Sequence, residues 1–398
     1  MISHDPLRSA QEIRESLASE KRRLTFFLGA GTSMAVGFPG IDSLTQKVLD
    51  ILQEPSKGQF TQILEELPTG SNVENILDRI RLYCELSGNT EEKKYGCLGG
   101  TDARNLDYAV CQAICEVICG DPPKGLQPHL IFAQWLRWLY TSRDWPVEIF
   151  TTNFDLLIER AMEELGIPFF DGFIGSVSPF FVPESVDAEM GRTNESACPP
   201  RAWTRLWKIH GSINWHIKKY NKNRERITRL SGTEFKKADQ LVIFPSREKY
   251  AQSRKLPFIA FQDRFRKILS FGECLVVVIG YSFSDEHLND IIFQGLRSNP
   301  RLAVTVFTHS ALSEGIIKHG QEYRNLTLYG PDRACVGGIV AQWGEPTRKR
   351  KEGELWPFWD EDKKRFTLGD FLSLSSFFET FIGISSSLKR SEVVVEDS

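Results

Sequence analysis

The chain has 398 residues, 41% hydrophobic and 25% charged, which is the composition of a globular protein with one large or two modest domains. Its net charge of −3 at pH 7 provides no overall positive field, so there is no strong signal for nucleic-acid binding. The first residues are polar and the longest apolar runs, such as 275–279, are too short to span a bilayer, so we expect a cytoplasmic protein without a secretory signal or membrane segment.

A glycine loop follows the first predicted strand. A short helix is predicted over 5–20 and a buried strand over 24–28, which ends at Gly29-Ala30-Gly31-Thr32-Ser33. Glycines let the backbone of such a loop approach a ligand closely, and its bare N–H groups attract phosphate. The stretch predicts a nucleotide site, with a simple turn as the alternative.

Helical patterns dominate the next hundred residues. Helices are predicted within 42–52, 73–83, 107–119 and 128–140, with a polar, glycine-rich loop over 86–104. The last of these helices is apolar nearly all round, so we expect it to be buried. We interpret residues 42–140 as a helical insertion between the first two strands of a sheet.

Strands and helices alternate after the insertion. The predicted strands are 147–150, 206–209, 241–244, 274–279, 303–307 and 326–329, of which the last two close the sheet. The predicted helices between them are 156–165, 258–270 and 286–296. This alternation predicts an α/β fold with a mostly parallel sheet and helices on both faces.

The composition changes near residue 344. We expect a main domain over 1–343 and a C-terminal extension over 344–398, with a helix near 368–384 and a disordered tail over 385–398. The extension carries Trp356, Phe358 and Trp359, which could form a partner surface or pack against its helix.

The cysteines do not resemble a metal site. Eight are present, and none forms a Cys-x-x-Cys pair, so we expect no structural zinc and eight free thiols. Three of them share one helix face because they recur every fourth residue, and a buried apolar stripe is favoured over metal binding. The eight cysteines are Cys84, Cys97, Cys111, Cys115, Cys119, Cys198, Cys274 and Cys335.

Polar or glycine-rich residues follow four of the predicted strands. Ligands of parallel sheets bind outside the carboxyl ends of the strands, so we expect these residues to meet at one edge. The four stretches are Gly29-Ala30-Gly31, Thr152-Asn153, His210-Gly211 and Gly280-Tyr281-Ser282. Together they predict a phosphate-rich ligand and chemistry by an asparagine and a histidine.

Each of these polar residues also has a purely structural alternative. His210 could be a core histidine bonded to a backbone carbonyl, and Asn153 could cap the following helix, as could Asp155. Ser282 and Asp285 could each cap the helix after residue 286. A dehydrogenase site fits poorly, because its third glycine would fall at Met34 and the acid that closes a second strand is missing.

In this order, the motifs Gly29-Ala30-Gly31-Thr32-Ser33, Thr152-Asn153-Phe154-Asp155, His210-Gly211 and Gly280-Tyr281-Ser282 resemble those of the sirtuin family across residues 24–330. The resemblance implies a modified Rossmann-type fold that binds NAD. It places the phosphates against residues 29–33 and Asn153 and Asp155 on the ribose side. It also implies that His210 is the catalytic histidine and that residues 280–282 form the adenosine-side loop.

Departures from the family narrow the function. The two Cys-x-x-Cys pairs of deacylase sirtuins are absent after His210, and Gly40-Ile41-Asp42 replaces their Asp-Phe-Arg. The form Gly-Tyr-Ser-Phe-Ser-Asp at 280–285 and the helical insertion resemble bacterial antiphage-defence proteins that hydrolyse NAD+ to nicotinamide and ADP-ribose. Chains of this size resemble the partner of a HerA-like ATPase. A silent sensor of NAD or ADP-ribose is the main alternative, and a protein deacylase is a weaker one.

Such an effector must be held inactive in healthy cells, so we expect a homo-oligomer or a partner to control access to the site. The candidate contact surfaces are residues 5–20, the basic stretch 218–240 and the segment after 344.

Overall fold

A large mixed sheet dominates the computed structural model, which describes residues 3–87, 93–96, 98–139, 143–187, 199–221, 224–230 and 256–382. The protein's described strands, which also form three smaller sheets, are β1 (Ser3–His4), β2 (Arg23–Leu28), β3 (Lys94–Tyr95), β4 (Leu98–Gly99), β5 (Glu148–Thr151), β6 (Phe169–Phe170), β7 (Phe173–Ile174), β8 (Phe180–Phe181), β9 (Thr204–Lys208), β10 (Trp215–Asn221), β11 (Arg224–Arg229), β12 (Cys274–Ile279), β13 (Leu302–Phe307), β14 (Leu326–Tyr329), β15 (Arg333–Val336), β16 (Ile339–Trp343), β17 (Trp359–Asp360) and β18 (Arg365–Phe366). Its helices are α1 (Pro6–Ala18), α2 (Gly31–Ala35), α3 (Ile41–Ile51), α4 (Ser56–Glu66), α5 (Val73–Ser87), α6 (Gly100–Ile118), α7 (Gln127–Leu139), α8 (Leu157–Glu164), α9 (Phe258–Ser270), α10 (Glu286–Ser298), α11 (Glu314–Glu322) and α12 (Phe371–Ile382), with a 3-10 turn at Pro183–Ser185.

Strand β2 lies near the middle of the sheet. Ten described strands run in the order β1-β16-β15-β14-β13-β12-β2-β5-β9-β6. The pairs from β14 through to β6 are parallel. The pairs β14-β15 and β15-β16 are antiparallel. The predicted α/β class with a mostly parallel sheet is therefore confirmed.

Adjacent residues of β2 face opposite layers of the molecule. Phe26 packs against Trp135 of α7, with ring centroids 5.7 Å apart. Phe27 packs against Phe265 of α9, with ring centroids 5.3 Å apart. Successive side chains of a strand point to opposite faces, so helices cover both sides of the sheet, as predicted. The first face carries α1, α7, α8 and α12, and the second carries α9, α10 and α11.

The helices between β2 and β5 divide into two groups. Helices α3 to α6 enclose a core of their own, in which Cys111 and Cys115 are buried and Cys119 is partly buried. The cysteine stripe therefore packs in this core, as favoured. Helix α7 belongs instead to the first face of the sheet. The expectation that α7 is buried is confirmed for most of its apolar residues, among them the fully buried Trp135, and is wrong for Trp138, which is 46% exposed.

Two predicted boundaries are wrong. The predicted loop over 86–104 contains the start of α6, because the repeat of Ala103, Leu106 and Val110 continues that helix's buried face towards its N-terminus. The sheet also continues beyond 326–329 as an antiparallel hairpin of β15 and β16. The Gly337-Gly338 turn of this hairpin, with φ of +59° and +86°, is the local signal that predicts it.

The aromatic residues after 344 pack against the first face of the sheet. Trp356, Phe358 and Trp359 are buried in the same core as β2 and α7. Phe378 of α12 stacks on Trp135, with ring centroids 4.2 Å apart. Packing therefore accounts for these aromatic residues. The predicted strand at 241–244, the tail over 385–398, Cys97 and Cys198 lie outside the described residues, as does most of 218–240.

We predict that Trp135→Ala lowers the free energy of unfolding by about 3–5 kcal/mol, because it removes a fully buried indole between Phe26 and Phe378. Trp138→Ala, on the same helix, is the matched control and should cost about 1 kcal/mol or less because its ring is half exposed. Urea unfolding followed by far-UV circular dichroism measures both. Equal losses would contradict the packing described here.

Candidate functional site

The carboxyl ends of four neighbouring strands form the predicted edge. These strands lie in the order β12-β2-β5-β9. The first three are followed directly by Gly280, Gly29 and Thr152, and β9 is followed by Ile209 and then His210. The parallel pairing of these strands brings the four predicted stretches to the same side of the sheet. Their side chains differ, however, in what they contact there.

The loops after β2 and β12 pack backbone against backbone. A Cβ on Gly29 would lie 2.4 Å from the carbonyl oxygen of Gly280, and one on Gly31 would lie 2.6 Å from its Cα. Gly280 itself has φ +65°, and a Cβ there would lie 2.7 Å from the amide of Thr32. No side chain fits at these three positions. The glycines are needed for contact between the loops, whatever ligand they meet.

Most amides of the glycine loop are already bonded. Gly29 donates to the carbonyl of Ile279, and Gly31 donates to that of Gly280. The amides of Thr32 and Ser33 donate within the loop, to the carbonyls of Gly29 and Ala30. The expectation of bare N–H groups is therefore wrong for four of the five residues, because the neighbouring loop and the first turn of α2 take them up. Ala30 is the exposed residue of the five.

The side chain of Asn153 is held in one orientation. Its Nδ2 lies 3.1 Å from the carbonyl oxygen of Gly29, 3.0 Å from Oγ1 of Thr32 and 2.9 Å from Oγ of Ser33. The Thr32 hydroxyl donates to Gly29, so its oxygen accepts from Asn153. A carbonyl can only accept, so the amide nitrogen must face this side and Oδ1 must face away. Within the described residues, Oδ1 of Asn153 accepts no hydrogen bond.

Asp155, not Asn153, accepts a hydrogen bond from the first turn of the following helix. Oδ1 of Asp155 accepts from the amide of Leu157 at 3.0 Å, in the first turn of α8. Its Oδ2 accepts from the hydroxyl of Ser33 at 2.6 Å. The alternative in which Asn153 caps the helix is therefore wrong. Both carboxylate oxygens of Asp155 have bonding partners within the protein.

A buried lysine donates a hydrogen bond to the backbone of the loop that carries Asn153 and Asp155. Nζ of Lys208, at the end of β9, donates to the backbone carbonyl of Asp155 and lies 2.7 Å from a carboxylate oxygen of Glu159. The lysine side chain is 3% exposed. Burial raises the pKa of Glu159, and the Lys208 ammonium opposes that shift. Sequence reasoning missed Lys208 because it ends an otherwise apolar strand.

His210 contacts a carboxylate from the other side of the site. Its Nε2 lies 3.2 Å from Oδ2 of Asp285, and the two side chains are 16% and 7% exposed. Oδ1 of Asp285 accepts from the amides of His287 and Leu288. Asp285 therefore caps α10 and also meets His210. The sequence indicated the first role and not the second.

The remaining predicted residues face different ways. Tyr281 is buried against Phe27, with ring centroids 4.8 Å apart, and its hydroxyl donates to the Asp285 carbonyl. Burial raises the pKa of Tyr281. Ser282 is exposed, with Oγ 3.0 Å from that of Ser284. Thr152 is half-buried, and its amide donates to the carbonyl of Leu28.

His129 is a buried base that the sequence did not single out. It lies on α7, is 1% exposed and meets the ring of Phe371 with centroids 5.0 Å apart. Burial lowers its pKa to about 4, against the attraction of the Asp155 carboxylate. Its imidazole is therefore neutral near pH 7. Nδ1 of His129 makes no hydrogen bond within the described part of the chain.

Among the described residues, no three His, Cys, Asp or Glu side chains are grouped as a metal site. The six described cysteines are free thiols, and burial raises the pKa of Cys274 to about 12. Over the same residues, no helix has both the length and the apolar character needed to cross a bilayer.

A family model describes part of this architecture. Residues 147–324 match the model of a SIR2-like domain. The matched residues include Asn153, His210 and Gly280, whereas the glycine loop at 29–33 precedes them. A search of curated proteins gave no match for the chain. The predicted sirtuin resemblance is confirmed for residues 147–324, and the defence branch and the ATPase partner stay predictions.

We predict that Gly280→Ala lowers the free energy of unfolding by about 1–3 kcal/mol from backbone strain, because alanine disfavours φ +65° and its Cβ meets Thr32. Gly315→Ala in α11 is the control, because a Cβ there meets open space, and it should raise stability by up to about 1 kcal/mol. Urea unfolding compares the two variants. A Gly280→Ala protein as stable as wild type would disprove the close approach of the loops.

Stability should depend on pH through His129. Between pH 6.5 and about 4, the unfolded chain binds a proton at this histidine and the folded chain does not, so acidification favours unfolding. The folded-state pKa near 4 sets this loss at roughly 3 kcal/mol, complete below pH 4. Urea unfolding from pH 7 to 4 should show a weaker pH dependence in His129→Leu than in wild type, whereas the exposed-site variant His309→Leu should follow wild type. Parallel curves for His129→Leu and wild type would contradict this assignment.

Proposed function

We propose that the protein is an NAD+ glycohydrolase that releases nicotinamide and ADP-ribose. The observation that carries this proposal is the fixed amide of Asn153, whose Oδ1 is turned away from the three groups that its Nδ2 contacts. Asn153 lies in the loop after β5, next to β9, the strand that precedes His210. Both residues lie within the segment that matches a SIR2-like domain. An oriented amide oxygen and an imidazole that follow neighbouring strands suit a substrate with ribose hydroxyls and a reactive anomeric carbon.

The residues present fit NAD+ as a substrate. Oδ1 of Asn153 accepts no hydrogen bond within the described residues, and ribose hydroxyls are donors that an amide oxygen can accept. For the phosphates, the donors would be the amide of Ala30 and the hydroxyl of Ser282, which both belong to exposed residues. The other residues of the predicted phosphate loop, Gly29 and Gly31 to Ser33, would act by shaping the loop, because their amides are occupied.

The proposed reaction is a hydrolysis at the anomeric carbon of the nicotinamide ribose. The bond from this carbon to the nicotinamide nitrogen breaks, and the electron pair leaves with nicotinamide through an oxocarbenium-like transition state, as in glycoside hydrolysis. A water oxygen forms the new bond, and His210 takes the proton that the water loses. Asn153 holds the ribose hydroxyls. The proton then passes to solvent, which restores the enzyme.

We predict that His210→Ala reduces nicotinamide release roughly 10²- to 10⁴-fold while NAD+ binding changes little, because it removes a general base. Asn153→Ala should reduce turnover and also weaken binding, since it removes the group that holds the ribose. His4→Ala is the matched control because His4 lies in β1 at the far end of the sheet. Nicotinamide release is followed by chromatography, and binding by calorimetry. Full activity of His210→Ala would reject the assignment.

A sensor of NAD or ADP-ribose is the second candidate. Its support is that the glycine loop and the Asn153 network are held by bonds within the protein, an arrangement that suits binding without turnover as well as catalysis. Saturable binding without nicotinamide release by wild type would support this function. A protein deacylase is disfavoured because the chain lacks two Cys-x-x-Cys pairs after His210.

We further propose that the enzyme is a cytoplasmic antiphage effector that depletes NAD+. The support is the resemblance of residues 280–285 and of the helical insertion to that branch. Control by homo-oligomerisation or by a HerA-like ATPase follows from the need to spare NAD+ in healthy cells. Nicotinamide release is therefore measured with the chain alone and with any co-encoded ATPase, beside its mass in solution. Full activity of a monomeric protein without any partner would reject this control.

A further inference from the structure

The contact between His210 and Asp285 bridges the site from one end to the other. His210 follows β9 and Asp285 follows β12, and two strands, β2 and β5, lie between these in the sheet. Neighbouring strands are about 4.8 Å apart, so the axes of β9 and β12, which are separated by three such spacings, are roughly 14 Å apart. The loop over 280–285 therefore extends past the ends of β2 and β5. It brings a carboxylate to the imidazole with 3.2 Å between Nε2 and Oδ2.

We infer that Asp285 is a positioning residue for His210, an inference that rests on the proposed glycohydrolase function. An ionised carboxylate can only accept hydrogen bonds, so Nε2 of His210 carries the proton in this contact. The neutral ring then has its lone pair on Nδ1, which becomes the atom that accepts a proton from water. The carboxylate also stabilises the imidazolium that forms. A carboxylate that fixes the tautomer of a catalytic histidine has the same role in serine-protease triads.

Asp285 uses one carboxylate oxygen to cap its helix and the other to contact His210, so the two roles can be tested separately. Oδ1 accepts from the amides of His287 and Leu288 at 3.1 and 3.3 Å, and Oδ2 meets His210. Asparagine caps helices about as well as aspartate. In Asp285→Asn the amide oxygen can keep the cap, and the new NH2 group faces His210. Because that group donates, it would favour the tautomer with the proton on Nδ1, which cannot then accept one.

The experiment compares full-length wild type, Asp285→Asn and Asp5→Asn. Asp5 is the matched control, because its Oδ1 caps α1 through the amide of Leu7 at 2.9 Å and it follows β1, at the edge of the sheet. The rates of nicotinamide release over a range of NAD+ concentrations give kcat and KM. Thermal melting reports the cap, and ¹⁵N spectra of histidine-labelled protein report the ring tautomer. The His210 signal is identified by its loss in His210→Gln.

We expect Asp285→Asn to lower kcat roughly 100-fold or more, with KM changed less than about threefold and a melting temperature like that of Asp5→Asn. The His210 spectrum should change from the Nε2–H to the Nδ1–H form. Wild-type kcat in Asp285→Asn would overturn the inference. Higher activity would also overturn it, because the contact would then hold His210 away from substrate.

Failure of the proposed function gives a different result. If wild type releases no nicotinamide under any condition, the glycohydrolase is rejected, and the spectra still decide on Asp285. An unchanged His210 tautomer in Asp285→Asn would overturn the positioning role. A changed tautomer would support it for whatever ligand the site takes.

Discussion

A close backbone contact between two loops positions the polar groups of the site. Gly29 and Gly31 after β2 lie against Gly280 after β12 with no space for a Cβ. This contact fixes the carbonyl of Gly29, to which Asn153 donates, and so fixes the amide of Asn153. It also fixes the start of the loop that carries Asp285 to His210. Both polar groups proposed to act on the substrate are therefore positioned through one backbone contact.

The polar groups around that contact are held by hydrogen bonds within the protein. Ser33 links Asn153 to Asp155, and Lys208 supports the backbone of Asp155 from the neighbouring strand. Because these bonds lie within the protein, the groups proposed to react would need little reorganisation on substrate binding, and preorganisation of this kind is a major source of electrostatic catalysis. The same bonds leave the glycine loop at 29–33 with few unbonded donors, so the phosphates of a dinucleotide would rely on few amides.

The sequence predicted the sheet edge well and the contacts within it less well. Buried apolar runs such as β12 identify strands, and polar residues after them identify a common edge. The pairing of His210 with Asp285 was not predictable, because the residues lie 75 positions apart and periodicity does not give strand order. The role of Lys208 was not predictable for a similar reason. A lysine is buried where an acidic partner compensates its charge, and its partner Glu159 is distant in the sequence. The β15–β16 hairpin was missed although Gly337-Gly338 signals it locally.

The position of β2 also has a consequence for biosynthesis. Thr25 of β2 lies beside Cys274 of β12, 249 residues later in the chain, and Phe26 is covered on one face by α12 near the end of the described residues. Non-local pairings form late, because they must close long loops first. The central strand can pair with β5 early, but it lacks β12, and its glycine loop lacks Gly280, until most of the chain has left the ribosome. The site proposed to consume NAD+ would in this way stay incomplete until late in translation.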